Sequence, residues 1–125
     1  MLADPAINVV YISTIHPLHA EWAIKAAAAG KHMLIEKPIA MNSAETAAIV
    51  EAAAKHDVFL MEAFMYRCHP QMQKLRELVT SGVIGEVRII RSVFSYYSTP
   101  SPTSRAHNKE LGGGGILDIG CYPAS

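Results

Sequence analysis

The chain has 125 residues, half of them hydrophobic and 18% charged, and eleven Lys and Arg balance eleven Asp and Glu. That composition suits one modest globular domain or parts of two, and argues against disorder and against a basic surface that would attract nucleic acid or an anionic membrane. No apolar run reaches the ~20 residues that span a bilayer. Asp4 stands where a signal peptide needs positive charge, and Cys68 and Cys121 are too few and too distant for a disulfide framework. A reducing, cytoplasmic setting is expected.

Asn8 to Ile12 is β-branched and apolar on both faces, the pattern of a strand buried in a parallel sheet. Pro17 suits a first helical turn, Leu18 to Ala29 is rich in good helix formers, and Gly30 is a natural stop. Met33 to Ile35 returns as a strand, completing one β-α-β unit. A second unit follows: Asn42 and Glu45 form a capping box for a helix over Ser43 to Lys55, with Ala47, Ala48, Val50 and Ala54 available for packing. His56-Asp57 breaks that helix, and Val58 to Met61 is the next buried strand, ending on Glu62. Alternating strands and helices predict part of a doubly wound α/β sheet with parallel strands.

After Glu62 the pattern changes. Pro70 starts a helix to Ser81-Gly82 with Leu75, Leu78 and Val79 as a core stripe. Gly85 turns into a long stretch, Glu86 to Tyr97, that reads as an antiparallel strand with Val87, Ile89 and Val93 on one face. Ser98 to Glu110 is a Pro/Ser-rich loop, and Gly112 to Gly115 lead into a helix carrying Asp118 and Tyr122. Trp22 and the methionines are expected in the core. The chain opens almost on a strand and stops just after a helix begins, which predicts a fragment of a longer protein.

Several residues could carry chemistry. Lys37 sits at the carboxyl end of a buried strand, between Glu36 and Pro38, where open α/β sheets bind ligands. An ammonium there can hydrogen-bond a substrate oxygen and stabilise alkoxide character; alone, it would be a lysine reaching solvent. Asp118 and Tyr122, four apart on a helix, share a face. A tyrosine near that ammonium should have its pKa lowered, as a general acid/base needs. The preceding glycines let another backbone, a ring or a ligand come close. They are not a dinucleotide fingerprint, because no strand precedes them and the spacing fails at Leu117 and Asp118. His16 and His19 have a spacing that metals use but no companion ligands, so no metal is expected and a cleft-lining or capping role is favoured. Arg67 and His69 follow a strand end and could face the same cleft.

Ile35-Glu36-Lys37-Pro38, Glu62 to Arg67, Ser81 to Val87 and Gly113 to Tyr122, in this order, resemble the glucose–fructose oxidoreductase / inositol dehydrogenase / MocA-like (Gfo/Idh/MocA) family over essentially the whole chain. Thr14-Ile15-His16-Pro17 with His19 and Tyr122 is most similar to its dimeric dihydrodiol dehydrogenase and NADP-dependent xylose dehydrogenase branch. The resemblance implies a partial Rossmann domain over residues 1–64 and the start of an α+β domain, with a mainly antiparallel sheet, over 65–125. It implies a catalytic Lys37, with Lys37–Pro38 a candidate cis bond, Asp118 as the acid of an Asp-x-x-x-His/Tyr motif, and Tyr122 as the proton-exchanging residue. Ser13, Thr14, His16, His19, Glu36, Lys37, Pro38 and Arg67 would lie along NAD or NADP, with NADP favoured by the branch. A sugar, polyol or cyclic diol would be the substrate, and the parent enzyme would be a homo-oligomer. The phosphate-binding turn is absent from this chain, so the segment alone, with an open sheet edge, is expected to be inactive. The alternatives are a non-catalytic dinucleotide sensor of the same fold, which need not keep a proton-transfer set, and a small free-standing binding domain.

Overall fold

The computed structural model describes residues 1–125. Three short strands, β1 (Val9–Ile12), β2 (His32–Glu36) and β3 (Leu60–Ala63), form a parallel sheet in the order β1-β2-β3. Helix α1 (His19–Ala28) connects the first two and α2 (Ser43–Lys55) the last two. A 3-10 turn, His16–Leu18 with Pro17 inside it, starts α1, and Gly30 at φ 69° ends it, a conformation that glycine adopts without strain. The α2 start is capped as its sequence requires. The Glu45 backbone N–H donates to Asn42 Oδ1 at 2.9 Å, and the Glu45 carboxylate reaches back to the Met41 N–H at 3.0 Å.

The register Val10↔Met33 and Ile12↔Ile35 puts these four side chains on one face. They form the core with Ala23, Ala26 and Ala27 of α1 and Ile49 and Ala53 of α2. Burying a side chain such as Ile35 stabilises the fold by roughly 1.5–3 kcal/mol. The packing face of α2 is therefore Ile49 and Ala53; of the expected residues Ala47, Val50 and Ala54 are exposed and Ala48 is half-buried.

The expectation that β1 is buried on both faces is corrected, since Val9 and Tyr11 are 59% and 56% exposed. Both helices pack on one side of the sheet, and the other side carries no layer of this chain. Trp22 is likewise outside the core, 40% exposed with the Lys25 ammonium 4.8 Å above its ring, and of the methionines Met33 is a core residue while Met1, Met61 and Met65 are exposed. The third strand starts two residues later than the apolar run suggests. Val58 N–H is still held by the Ala53 carbonyl, and Asp57 turns the chain at φ 53°.

Residues 65–125 hold little regular structure, and it is mainly the stretch from Arg105 to Tyr122 that reaches the sheet unit. A 3-10 turn, Met65–Cys68, leads to α3 (Pro70–Thr80), capped by His69 Nδ1 accepting from the Gln71 N–H. The stripe of Leu75, Leu78 and Val79 is 38–50% exposed, so it is not core within this chain. The long strand expected over Glu86 to Tyr97 does not form: the alternating pattern is there, but a strand is a paired object, and no segment of these 125 residues pairs with it. The glycine run ends in a π-helical turn, Ile116–Gly120, and a last helical turn, α4 (Cys121–Ala124). No helix is long and apolar enough to cross a membrane.

Candidate functional site

Parallel pairing of β1 with β2 brings their carboxyl ends side by side. There the Ser13–Ile15 loop and Glu36-Lys37 border a cleft of about 270 Å³, lined also by His16 and Arg105. Small hydroxyls, a carboxylate and two cations make its walls polar. Three contacts pin the backbone around Lys37. Glu36 Oε2 accepts from the Lys37 N–H at 3.2 Å, His19 Nδ1 lies 2.8 Å from the Pro38 carbonyl, and Glu62 Oε1, at the end of β3, accepts from the Ile39 N–H at 2.8 Å. The Lys37–Pro38 bond is cis, as the resemblance implies.

Lys37 reaches across the chain. Its ammonium donates to the backbone carbonyl of Asp118 and stands 4.7 Å from the centre of the Tyr122 ring. Phe64, Tyr66 and Phe94 surround that ring at centroid distances of 5.3–6.0 Å. The expected lowering of the Tyr122 pKa is not found. Burial pushes the phenol above its ordinary value, with Cys121, Glu36 and Asp118 adding to the rise. The ammonium lies over the ring face and makes no hydrogen bond to the phenol.

Asp118 and Tyr122 lie in one continuous helical stretch, but their side chains have different partners. Asp118 belongs to the π-helical turn, and its largely buried carboxylate accepts from Tyr96 Oη at 2.5 Å and lies 3.6 Å from Arg105 Nη2. Lys37 touches both residues, through a carbonyl and through a ring.

His16 and His19 are buried and stacked edge to face. His19 spans the ends of two strands, with Nδ1 at the Pro38 carbonyl and Nε2 at 3.0 Å from the Thr14 carbonyl. His16 Nε2 faces Arg105 Nη1 at 3.0 Å, and its Nδ1 faces the Gly112 carbonyl at 3.2 Å. All four ring nitrogens are thus engaged by protein atoms. Burial holds His16 below the usual imidazole range; the Gly112 bond opposes this, and the charges of Arg105, His19 and Lys37 reinforce it.

Arg67 stands elsewhere. It is exposed, donates to the Ser125 carbonyl at 3.0 Å and stacks over Phe64, because the 3-10 turn of residues 65–68 aims it along the chain end and away from the cleft. His69 is used as a helix cap.

The glycine run is approached by backbone, by a ring and by the Met41 thioether. A Cβ on Gly112 would meet His16 Nδ1 at 2.8 Å, and one on Gly113 would meet the Arg105 and Asn108 carbonyl oxygens at 2.6 and 2.7 Å. Neither carbonyl can move without displacing the loop, so Gly113→Ala is expected to destabilise the protein by about 2–3 kcal/mol, read as a lowered midpoint in chemical denaturation. An unchanged midpoint would show that this packing is loose.

Three site residues escaped the sequence reading: Glu62, Tyr96 and Arg105. Glu62 had a signal, being a strand-end carboxylate like Glu36. Tyr96 and Arg105 had none, lying in stretches whose local pattern gives no hint of a partner in the glycine turn.

Comparison with known proteins identifies the family and the fold. Residues 1–64 match the family described as an oxidoreductase family with an NAD-binding Rossmann fold, and residues 72–125 match the GFO/IDH/MocA C-terminal domain. Trans-1,2-dihydrobenzene-1,2-diol dehydrogenase of Xenopus laevis is 46% identical over 95% of this chain and 36% of its own length. D-xylose 1-dehydrogenase (NADP(+)) 2 of Haloferax volcanii is 40% identical over all of this chain and 38% of its own length. Among solved structures, aldose-aldose oxidoreductase from Caulobacter crescentus, complexed with glycerol, superposes with a TM-score of 0.83 at 31% identity, over 97% of this chain and 36% of that one. The chain therefore spans little more than a third of the relatives it matches.

Proposed function

Because the chain belongs to the Gfo/Idh/MocA family of oxidoreductases, whose N-terminal part is an NAD-binding Rossmann fold, we propose that it is a segment of an NAD(P)-dependent dehydrogenase acting on a carbinol of a sugar, polyol or cyclic diol. In this reading residues 1–64 contribute to the cofactor half and residues 65–125 begin the substrate half. The observation that carries it is the meeting of Lys37 with Asp118 and Tyr122 at the mouth of a polar cleft, across more than eighty residues of sequence.

The cleft suits one end of a dinucleotide. It lies at the carboxyl ends of parallel strands, where α/β sheets bind nucleotides, and Ser13, Thr14 and Glu36 offer the hydroxyls and carboxylate that a ribose and a carboxamide require. His16 and Lys37 would border the nicotinamide, while Pro38 and His19 shape that wall from behind. NADP is the preferred form, in keeping with the Haloferax relative's name. The nicotinamide ring, when bound, supplies the hydride acceptor or donor.

The protein's part is to bind the carbinol and handle its proton. The Lys37 ammonium hydrogen-bonds the substrate oxygen and stabilises the alkoxide character that develops on oxidation. The Tyr122 phenolate takes the carbinol proton, and in the reverse direction the phenol returns it to the carbonyl oxygen. Asp118 holds Lys37 through its backbone carbonyl and keeps its carboxylate on Tyr96 and Arg105. The parent enzyme works as a homo-oligomer. A reducing, cytoplasmic compartment suits its two free cysteines. A dinucleotide sensor would have no use for this proton-transfer set.

The test is to incubate the full-length protein with NADP and with NAD across aldoses, polyols and cyclic trans-diols, and to follow the near-ultraviolet absorbance of the reduced nicotinamide. Reduction with at least one substrate class is expected. Cofactor binding with no turnover anywhere in the panel would favour the sensor and overturn the dehydrogenase.

A further inference from the structure

The loop from Ser98 to Glu110 has no core-forming pattern, yet its Arg105 reaches the centre of the site. The side chain is 42% exposed and lines the cleft. Its Nη1 donates to His16 Nε2 at 3.0 Å, and its Nη2 lies 3.6 Å from Asp118 Oδ1. A guanidinium can only donate, so His16 Nε2 is the lone-pair nitrogen, and Nδ1 carries the proton that it gives to the Gly112 carbonyl. One planar fork thus joins the loop after β1, on the cofactor side, to the π-helical turn on the substrate side.

The arrangement also divides two cations between two oxygens of one residue. The Asp118 side chain is only 12% exposed, and a carboxylate so placed requires a counter-charge. Arg105 takes the carboxylate, and Lys37 takes the backbone carbonyl of the same residue. Without the guanidinium, the Lys37 ammonium, already held on the carbonyl of the same residue, is a point charge on a flexible stem that can swing to the carboxylate.

We propose that Arg105 is a positioning residue of the reaction: by engaging the Asp118 carboxylate and His16 together, it keeps the Lys37 ammonium off that carboxylate and free for the substrate oxygen. This rests on the dehydrogenase reading given above. Arg105 touches no reacting atom; it acts through Asp118 and Lys37.

The experiment is a set of variants in the full-length protein. Arg105→Ala is expected to lower kcat on the order of 10²-fold, the cost of a misplaced catalytic group, with KM for the substrate changed much less. Arg105→Lys, which restores the charge but not the fork, should recover part of the loss. The deciding measurement is the cycle with Asp118→Asn. In that background there is no carboxylate to capture Lys37, so adding Arg105→Ala should cost little more. A loop anchor would cost the same in both backgrounds, and that result would overturn the proposal.

A second readout needs no turnover. The His16 imidazole, faced by Arg105, His19, Lys37 and the Gly112 carbonyl, should titrate at higher pH in Arg105→Ala than in the unsubstituted protein when followed by ¹⁵N NMR. Identical titrations would mean that the Arg105–His16 contact is not made, which also overturns the proposal. An unsubstituted protein that binds cofactor but turns over nothing would defeat the dehydrogenase reading, and this inference with it; an active protein whose variants couple additively would defeat this inference alone.

Discussion

Replacing Lys37 with alanine in the full-length enzyme is expected to cut kcat by roughly 10²–10³-fold, the usual cost of losing one donor to a developing oxyanion, while the dissociation constant for NADP stays nearly unchanged. The separation follows from how the lysine is held. Contacts from Glu36, His19 and Glu62 fix the backbone on either side of it and survive the substitution, and Ser13, Thr14 and His16 still line the cofactor cleft. What goes is the half-buried ammonium between the Asp118 carbonyl and the Tyr122 ring. Single-turnover kinetics and cofactor fluorescence would report the two quantities independently. Turnover close to that of the unsubstituted enzyme would remove Lys37 from the mechanism, and a large rise in the dissociation constant would make it a binding residue.

Tyr122→Phe should lower kcat by about 10²–10⁴-fold, the range for a lost general acid or base, and it should also change the shape of the pH profile. Burial, reinforced by Cys121, Glu36 and Asp118, raises the Tyr122 pKa. The proton-accepting form therefore becomes populated only in the alkaline range. Oxidation, which uses that form, should climb with pH toward the raised pKa; reduction, which uses the neutral phenol, should hold steady and then fall there. Phenylalanine keeps the ring on which Lys37 and Phe94 rest, so the variant should lose both limbs without losing the fold. Tyr122→Leu would remove the ring as well and should add a loss of stability. A Tyr122→Phe enzyme that kept the alkaline rise would assign the proton to another group.

What could be read in advance was what is encoded locally. The capping box at Asn42 and Glu45, the Gly30 stop and the three apolar runs each lie within a few residues of the structure they specify. The Glu36-Lys37-Pro38 strand end was legible for the same reason, since charges at the mouth of an apolar strand stand out in sequence. At long range the meeting of Lys37 with the turn of Asp118 and Tyr122 was legible, but the atoms that make such contacts were not. Lys37 with the Asp118 carbonyl, His16 with Gly112, and Arg105 with both His16 and Asp118 join segments about 80–100 residues apart in sequence, or lie in loops without periodicity. The Tyr122 shift runs opposite to the expectation because nearness to a charge can be inferred from a motif, whereas desolvation depends on packing that the sequence does not display. The stretch from Glu86 to Tyr97 shows the opposite failure: its alternation is real, but a sheet requires a second strand, and alternation alone does not say where that strand is.

His19 also has a consequence for the dimensions of the cleft. One imidazole fills the gap between the Thr14 carbonyl, just past β1, and the Pro38 carbonyl, just past β2. The ring is fully buried, so it works as a rigid spacer, and the breadth of one five-membered ring sets how far apart the two walls stand. An asparagine is too short to touch both carbonyls, and a glutamine could reach them only with a bent, mobile stem. Either would leave every lining residue in place and still alter the gap that a flat ring has to enter.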